Sequence, residues 1–151
     1  MLVVLWLVPV LRSTADEKPR IVVTVNASVP NQDISTVELR EIILGQRRFW
    51  SNGERIELII EASDTPARRM FVDKISNMSE AQFSHYWTSL IFSHRATRPP
   101  RAAPDRRLAL ALVRSIPGSL ALVEAGDIPD NVRVISVNGL TADAEGYPLN
   151  P

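Results

Sequence analysis

Apolar residues arrive along this chain in short blocks whose spacing alternates between strand-like and helix-like. The run "IVVTVNAS", residues 21–28, is β-branched and closes on Asn and Ser, which predicts a buried strand and a turn. In "DISTVELREIILG" the period changes. Ser35 is placed to cap a helix whose third residue, Glu38, completes a capping box. Ile34 and Leu39 form a hydrophobic staple, Ile42 and Ile43 continue the apolar face, and Gly45 supplies a left-handed stop. The turn-rich "QRRFWSNGE" follows, its Asn52-Gly53 pair favouring positive φ, and "RIELIIEA" reads as a second strand. Behind Pro66, the residues Ala67, Phe71 and Ile75 recur every four positions, predicting a helix that buries that stripe. Ser79 and Gln82 open a third helix as another capping box, with Phe83, Tyr86, Trp87, Leu90 and Ile91 on its core face. The Pro-rich, basic "SHRATRPPRAAPDRR" reads as a solvated linker. The helix "LALALVRSI" stops at Pro117-Gly118, and "SLALVEAG" and "VRVISVNG" are two more strands. Interleaved strands and helices predict an α/β domain over residues 20–140, a three-layer-like sheet with flanking helices and parallel pairing somewhere in the sheet. An irregular tail, 141–151, completes the chain.

Composition narrows the function classes. Seventeen basic residues balance seventeen acidic ones, so no global field recruits nucleic acid or an anionic membrane. With no cysteine, disulfides, thiolate metal sites and thiol nucleophiles are excluded. The apolar run at residues 2–11, "LVVLWLVPVL", is too short for a membrane span of ~20 residues and suits the core of an export signal. Ser13 and Ala15 have the small-residue spacing of a cleavage point, so residues 1–15 are read as a signal-peptide-like segment and the protein as periplasmic.

Candidate chemistry is sparse. His85 and His94 lack the companions a metal site needs, and the sequence calls for no metal and no cofactor. Glu57 and Glu61 alternate along a strand as an exposed face would, with Glu54 nearby, and are not read as an acid/base pair. There is no nucleophile elbow and no Gly-rich phosphate loop, so no catalytic residue is assigned and the chain is read as non-enzymatic. Arg95, Arg98, Arg101, Arg106 and Arg107 lack interleaved aromatics, which speaks against nucleic acid as a partner. Asn26-Ala27-Ser28 and Asn77-Met78-Ser79 match the glycosylation pattern, a short and common one. What remains is "EASDTPARRMFVDKI", residues 61–75. With Thr65 as N-cap and Pro66 the first helical residue, the amides of Ala67 and Arg68 point out of the positive end of a helix. Ser63, Thr65 and a guanidinium from Arg68 or Arg69 could complete an oxyanion cradle. Equally, Thr65 alone can satisfy the helix end, for about 1 kcal/mol, and the Asp64 carboxylate repels an anion.

The order of these motifs resembles the periplasmic phosphate-binding-protein-like family, the substrate-binding subunits of phosphate ABC transporters and their short single-domain relatives. The resemblance runs from "IVVTVNAS" through "VELREIILGQRRFWSNGERIELII", "SDTPARRMF", "AQFSHYWTSLIFS", "PP" and "VRSIPGSLALVEA". It implies the fold of one lobe of a type II periplasmic binding protein. In that family, phosphate sits between two lobes, held partly by a Ser-Gly-Thr turn that opens a helix. The matching positions are Ser63, Asp64 and Thr65, with Arg68 where short relatives carry arginine. Asp64 replaces the glycine, and Ala121 and Leu122 stand where the family tends to have Gly and Tyr. The chain resembles the second lobe, and the first has no counterpart upstream of residue 21. The resemblance therefore implies an exported binding domain with a weak half-site for phosphate or another oxyanion at Ser63, Thr65 and Arg68. The alternative it leaves is an interaction module that has lost its ligand and contacts its partner through the face a second lobe covers. A membrane transporter or another periplasmic protein is the partner implied.

Overall fold

Strand β1 (Ile21–Asn26) is buried at all six positions. Strands β5 (Ser119–Glu124) and β3 (Glu57–Glu61) are nearly as enclosed, and apolar residues on both faces of a strand require cover on both. The computed structural model that shows this describes residues 18–62, 64–96 and 98–150, so the signal-like segment 1–15 and Ser63 lie outside the described residues.

The sheet has the order β2-β6-β1-β5-β3-β4, with β2 at Asp33–Ile34, β4 at Arg101–Ala103 and β6 at Val132–Val137. β1 runs antiparallel to β5 and β6, while β3 is parallel to both β5 and β4, and β2 to β6. Parallel pairing is thus present, and it brings the carboxyl ends of β3, β4 and β5 to one side of the sheet. Side chains sort by parity. Ile21, Val23 and Val25 enter one core with Leu58, Ile60, Leu120 and Leu122. Val22 enters a second with Ile59, Ala121 and Val123. The first core is covered by α1 (Thr36–Ile43), α2 (Pro66–Arg69) and α3 (Glu80–Phe92), the second by α4 (Arg106–Ser115). The architecture is an α/β/α sandwich.

The helix starts follow their caps. Ser35 accepts from the Glu38 amide and Ser79 from the Gln82 amide, and in both boxes the return bond is made. Asp105 caps α4. Three expectations are corrected. The basic connection is not wholly a linker, because Arg101–Ala103 pairs with Ile59–Glu61 as an edge strand; that pairing is made by backbone and leaves no apolar signature. The helix from Pro66 remains α-helical only to Arg69 and continues as a π-helix, Met70–Ile75. The wider turn buries Met70, Phe71 and Val72 in succession and leaves Ile75 half-buried, and the Ser76 hydroxyl donates to the Phe71 and Val72 carbonyls, which also accept the Ser76 and Met78 amides. Finally, Glu61 is buried and not on an exposed face. The C-terminal segment is turn-rich, yet Tyr147 and Leu149 are buried in the first core.

A hairpin after α1 is held against the α4–β5 turn. The Trp50 indole Nε1 donates to the Gly118 carbonyl at 2.9 Å. Gly118 has φ +73°, and a Cβ there would stand 2.2 Å from the Arg55 carbonyl oxygen, a backbone atom that cannot swing aside. Gly118→Ala is expected to lower unfolding free energy by about 1 kcal/mol or more, read from the urea midpoint at unchanged slope.

Candidate functional site

The segment after β3 delivers the candidate oxyanion turn to the carboxyl end of the sheet, the side on which open α/β sheets bind ligands. Asp64 has φ +71°, the left-handed conformation a glycine would take freely and that Asp is one of the few other residues to tolerate. Thr65 is the N-cap: its Oγ1 accepts from the Arg68 amide at 3.1 Å, and its hydroxyl also hydrogen-bonds the Glu61 carboxyl. The ordinary cap is therefore made.

Arg68 turns back over this cap. Its Nη1 donates to the Glu61 carbonyl at 2.9 Å, while Nε and Nη2 hold the two carboxylate oxygens of Glu80 at 2.7 and 2.8 Å. This is a fork-on-fork pair, the strongest geometry a guanidinium has. Only 18% of the Arg68 side chain is exposed, against 51% for Glu80. The Arg68 hydrogen bonds hold the Glu80 carboxyl below its usual range. Arg69, more exposed, pairs with Asp64 at 2.9 Å.

Glu61 is the residue that sequence reasoning misplaced. It is 5% exposed, and its Oε1 has no hydrogen-bond partner among the described residues. Burial pushes its pKa up; the Thr65 hydrogen bond opposes this, Glu124 adds to it, Arg106 opposes and Asp105 adds. Two groups at this site were thus missed, Glu61 and Glu80. The one local signal for Glu80 was its place in the first turn of α3, where an acid is favoured. The structure brings Thr65 and Arg68 together at the cap, with the guanidinium turned to Glu80. Elsewhere, His85 and His94 are exposed, and among the described residues no cluster of His, Asp and Glu could hold a metal ion. Asn26 is buried and donates to the Val113 and Arg114 carbonyls, so the first glycosylation pattern is a structural clasp.

This arrangement, a mixed sheet with the helix-opening turn at its carboxyl edge, has solved counterparts. The chain superimposes with a TM-score of 0.65 on a putative phosphate ABC transporter substrate-binding protein with bound phosphate from Clostridium perfringens, at 14% identity. The match covers 82% of this chain and 47% of that one. The fold is that of one lobe. An ABC-type phosphate transport receptor from Vibrio cholerae gives 0.63 at 12% identity, covering 82% and 48%, and PstS from Borrelia burgdorferi gives 0.65 at 13%, covering 82% and 49%. This chain spans about half the length of each of these structures. No family model and no curated protein matches the sequence.

The raised Glu61 pKa fixes a pH dependence. The unfolded chain releases this proton at a lower pH than the folded one, so stability falls as pH rises from the ordinary glutamate pKa through the folded value. Glu61→Gln removes that loss. Its urea midpoint is expected to gain on the wild type as pH rises above about 4, the ordinary glutamate range, and parallel curves would refute the assignment.

Proposed function

We propose that this chain is a non-enzymatic, exported binding domain related to the substrate-binding proteins of phosphate transporters. Ser63, Thr65 and Arg68 form a weak half-site for phosphate or another oxyanion. The observation that carries this reading is the bidentate grip of Arg68 on Glu80. A carboxylate in a guanidinium fork stands where two oxygens of a phosphate would sit. The fork is anchored by the Glu61 carbonyl beside the Thr65 cap, so guanidinium and hydroxyl meet at one edge. An incoming anion has to displace Glu80 and tolerate the neighbouring Asp64 and Glu61 carboxyls, which weakens its binding.

A second reading, an interaction module without a ligand, is favoured by the same pairings: Arg68 and Arg69 are each already neutralised internally. A membrane transporter or another periplasmic protein is the partner under this reading. The periplasmic setting rests on the N-terminal segment; among the described residues no helix is long and apolar enough to cross a membrane.

Calorimetric titration with phosphate and sulfate separates the two. Glu80→Gln is expected to tighten phosphate binding by roughly tenfold by releasing the fork, and Arg68→Ala to abolish it. Absence of heat from Glu80→Gln at millimolar phosphate would leave the interaction module as the function.

A further inference from the structure

Four arginines from three segments of the chain meet at the opposite end of β3. Arg47 and Arg48 come from one arm of the hairpin, Arg55 and Glu57 from its return, and Arg98 from the connection between α3 and β4. Together they line a crevice of about 60 Å³ whose floor includes Ile42, Leu58 and Trp87. A hollow of about 390 Å³ shares Gly45 and Arg48 with it and extends to Arg95. The walls are fixed by backbone. The Ile56 amide donates to the Arg48 carbonyl at 2.9 Å, and Arg48 Nη1 reaches the Arg95 carbonyl at 3.3 Å. Gly45, at φ +69°, lets the loop close on Trp87, whose ring carbon would stand 2.8 Å from any Cβ there.

The charge here is unbalanced. Glu38 pairs with Arg47 at 2.5 Å. Glu57 pairs with Arg98, and Arg55 Nε lies 3.9 Å from the same carboxylate. Arg48 and Arg95 are exposed and have no carboxylate within ion-pair distance among the described residues. Two carboxylates thus serve three guanidiniums, Arg47, Arg55 and Arg98, while Arg48 and Arg95 have none within ion-pair distance among the described residues.

We infer that this crevice docks an acidic, carboxylate-bearing segment of a protein partner. Carboxylates complement the guanidinium forks, and the apolar floor takes the carbon stems that flank them. A nucleic acid is disfavoured because, among the described lining residues, Trp87 is buried against Gly45 and Tyr86, in the adjoining hollow, is half-buried with its hydroxyl donating to the Leu44 carbonyl, so neither offers an open stacking face. The surface is separate from Thr65 and Arg68. Its failure would leave the oxyanion half-site untouched, and the phosphate titration does not probe it.

The test is fluorescence anisotropy of a labelled oligoglutamate peptide titrated with the full chain. Arg48→Glu combined with Arg95→Glu is expected to weaken binding by roughly tenfold or more, and the milder Arg48→Gln with Arg95→Gln by less, with circular dichroism confirming the fold of each. Arg107→Glu with Arg114→Glu, on the exposed face of α4, is expected to stay within about twofold of wild type, since those arginines lie outside the crevice. Equal losses in the two surfaces, absence of binding to the wild type, or tighter binding of an oligothymidylate of equal charge would each overturn the proposal.

Discussion

Ile21, Val23 and Val25 point into one core while Val22 points into the other, so the centre of the sheet can be left bare on neither side. Each such side chain contributes about 1.5–3 kcal/mol when fully removed from water, and the neighbouring strands repeat the pattern. Helices must therefore pack on both faces. The polar groups caught between are satisfied locally: the Thr24 hydroxyl donates to the Ala121 carbonyl, and Asn26 clasps the end of α4. From the same constraint comes the position of the candidate site. Crossing from β3 through helices on one face and returning parallel at β4 places the segment after β3 at the carboxyl edge, where its turn and cap are presented together.

What could be read from the sequence was what is decided within four residues. The capping boxes at Ser35 and Ser79, the Thr65 cap and the left-handed Gly45 are each closed by a neighbour in the chain, and each is found as expected. β4 escaped because edge pairing is written in backbone and not in side-chain periodicity. Glu61 escaped for a subtler reason. It shares strand parity with Glu57 and Ile59, and two charged residues in three suggested an exposed face. Ile59, the apolar member, was the better guide: it belongs to the core under α4, and Glu61 follows it inward.

The candidate site was legible as a place and illegible as a charge balance. Thr65 and Arg68 could be named because a cap and a first-turn arginine are sequence-local. That Arg68 holds Glu80, twelve residues on, depends on how the π-helical turn and α3 pack, and no spacing rule reports it. Asp64 shows the two kinds of information side by side. Its left-handed φ keeps the turn that a glycine would make, while its carboxylate, paired with Arg69, changes what that turn presents.

A net charge of zero hides a division along β3. At its carboxyl end, Glu61 feels Glu124 and Asp105 as well as Arg106, and Asp64 and Glu80 occupy Arg69 and Arg68. At its amino end, Arg47, Arg48, Arg55, Arg95 and Arg98 face Glu38 and Glu57. The two ends are four residues apart, roughly 13 Å at strand rise, which is beyond a Debye length at physiological salt, so each acts on its surroundings separately. An approaching anion is thus met by a surplus of carboxyls at the carboxyl edge, the side on which open α/β sheets bind ligands, and by a surplus of guanidiniums at the other. Fold similarity directs attention to the first end. The surplus of guanidiniums at the second end sets it apart from the first.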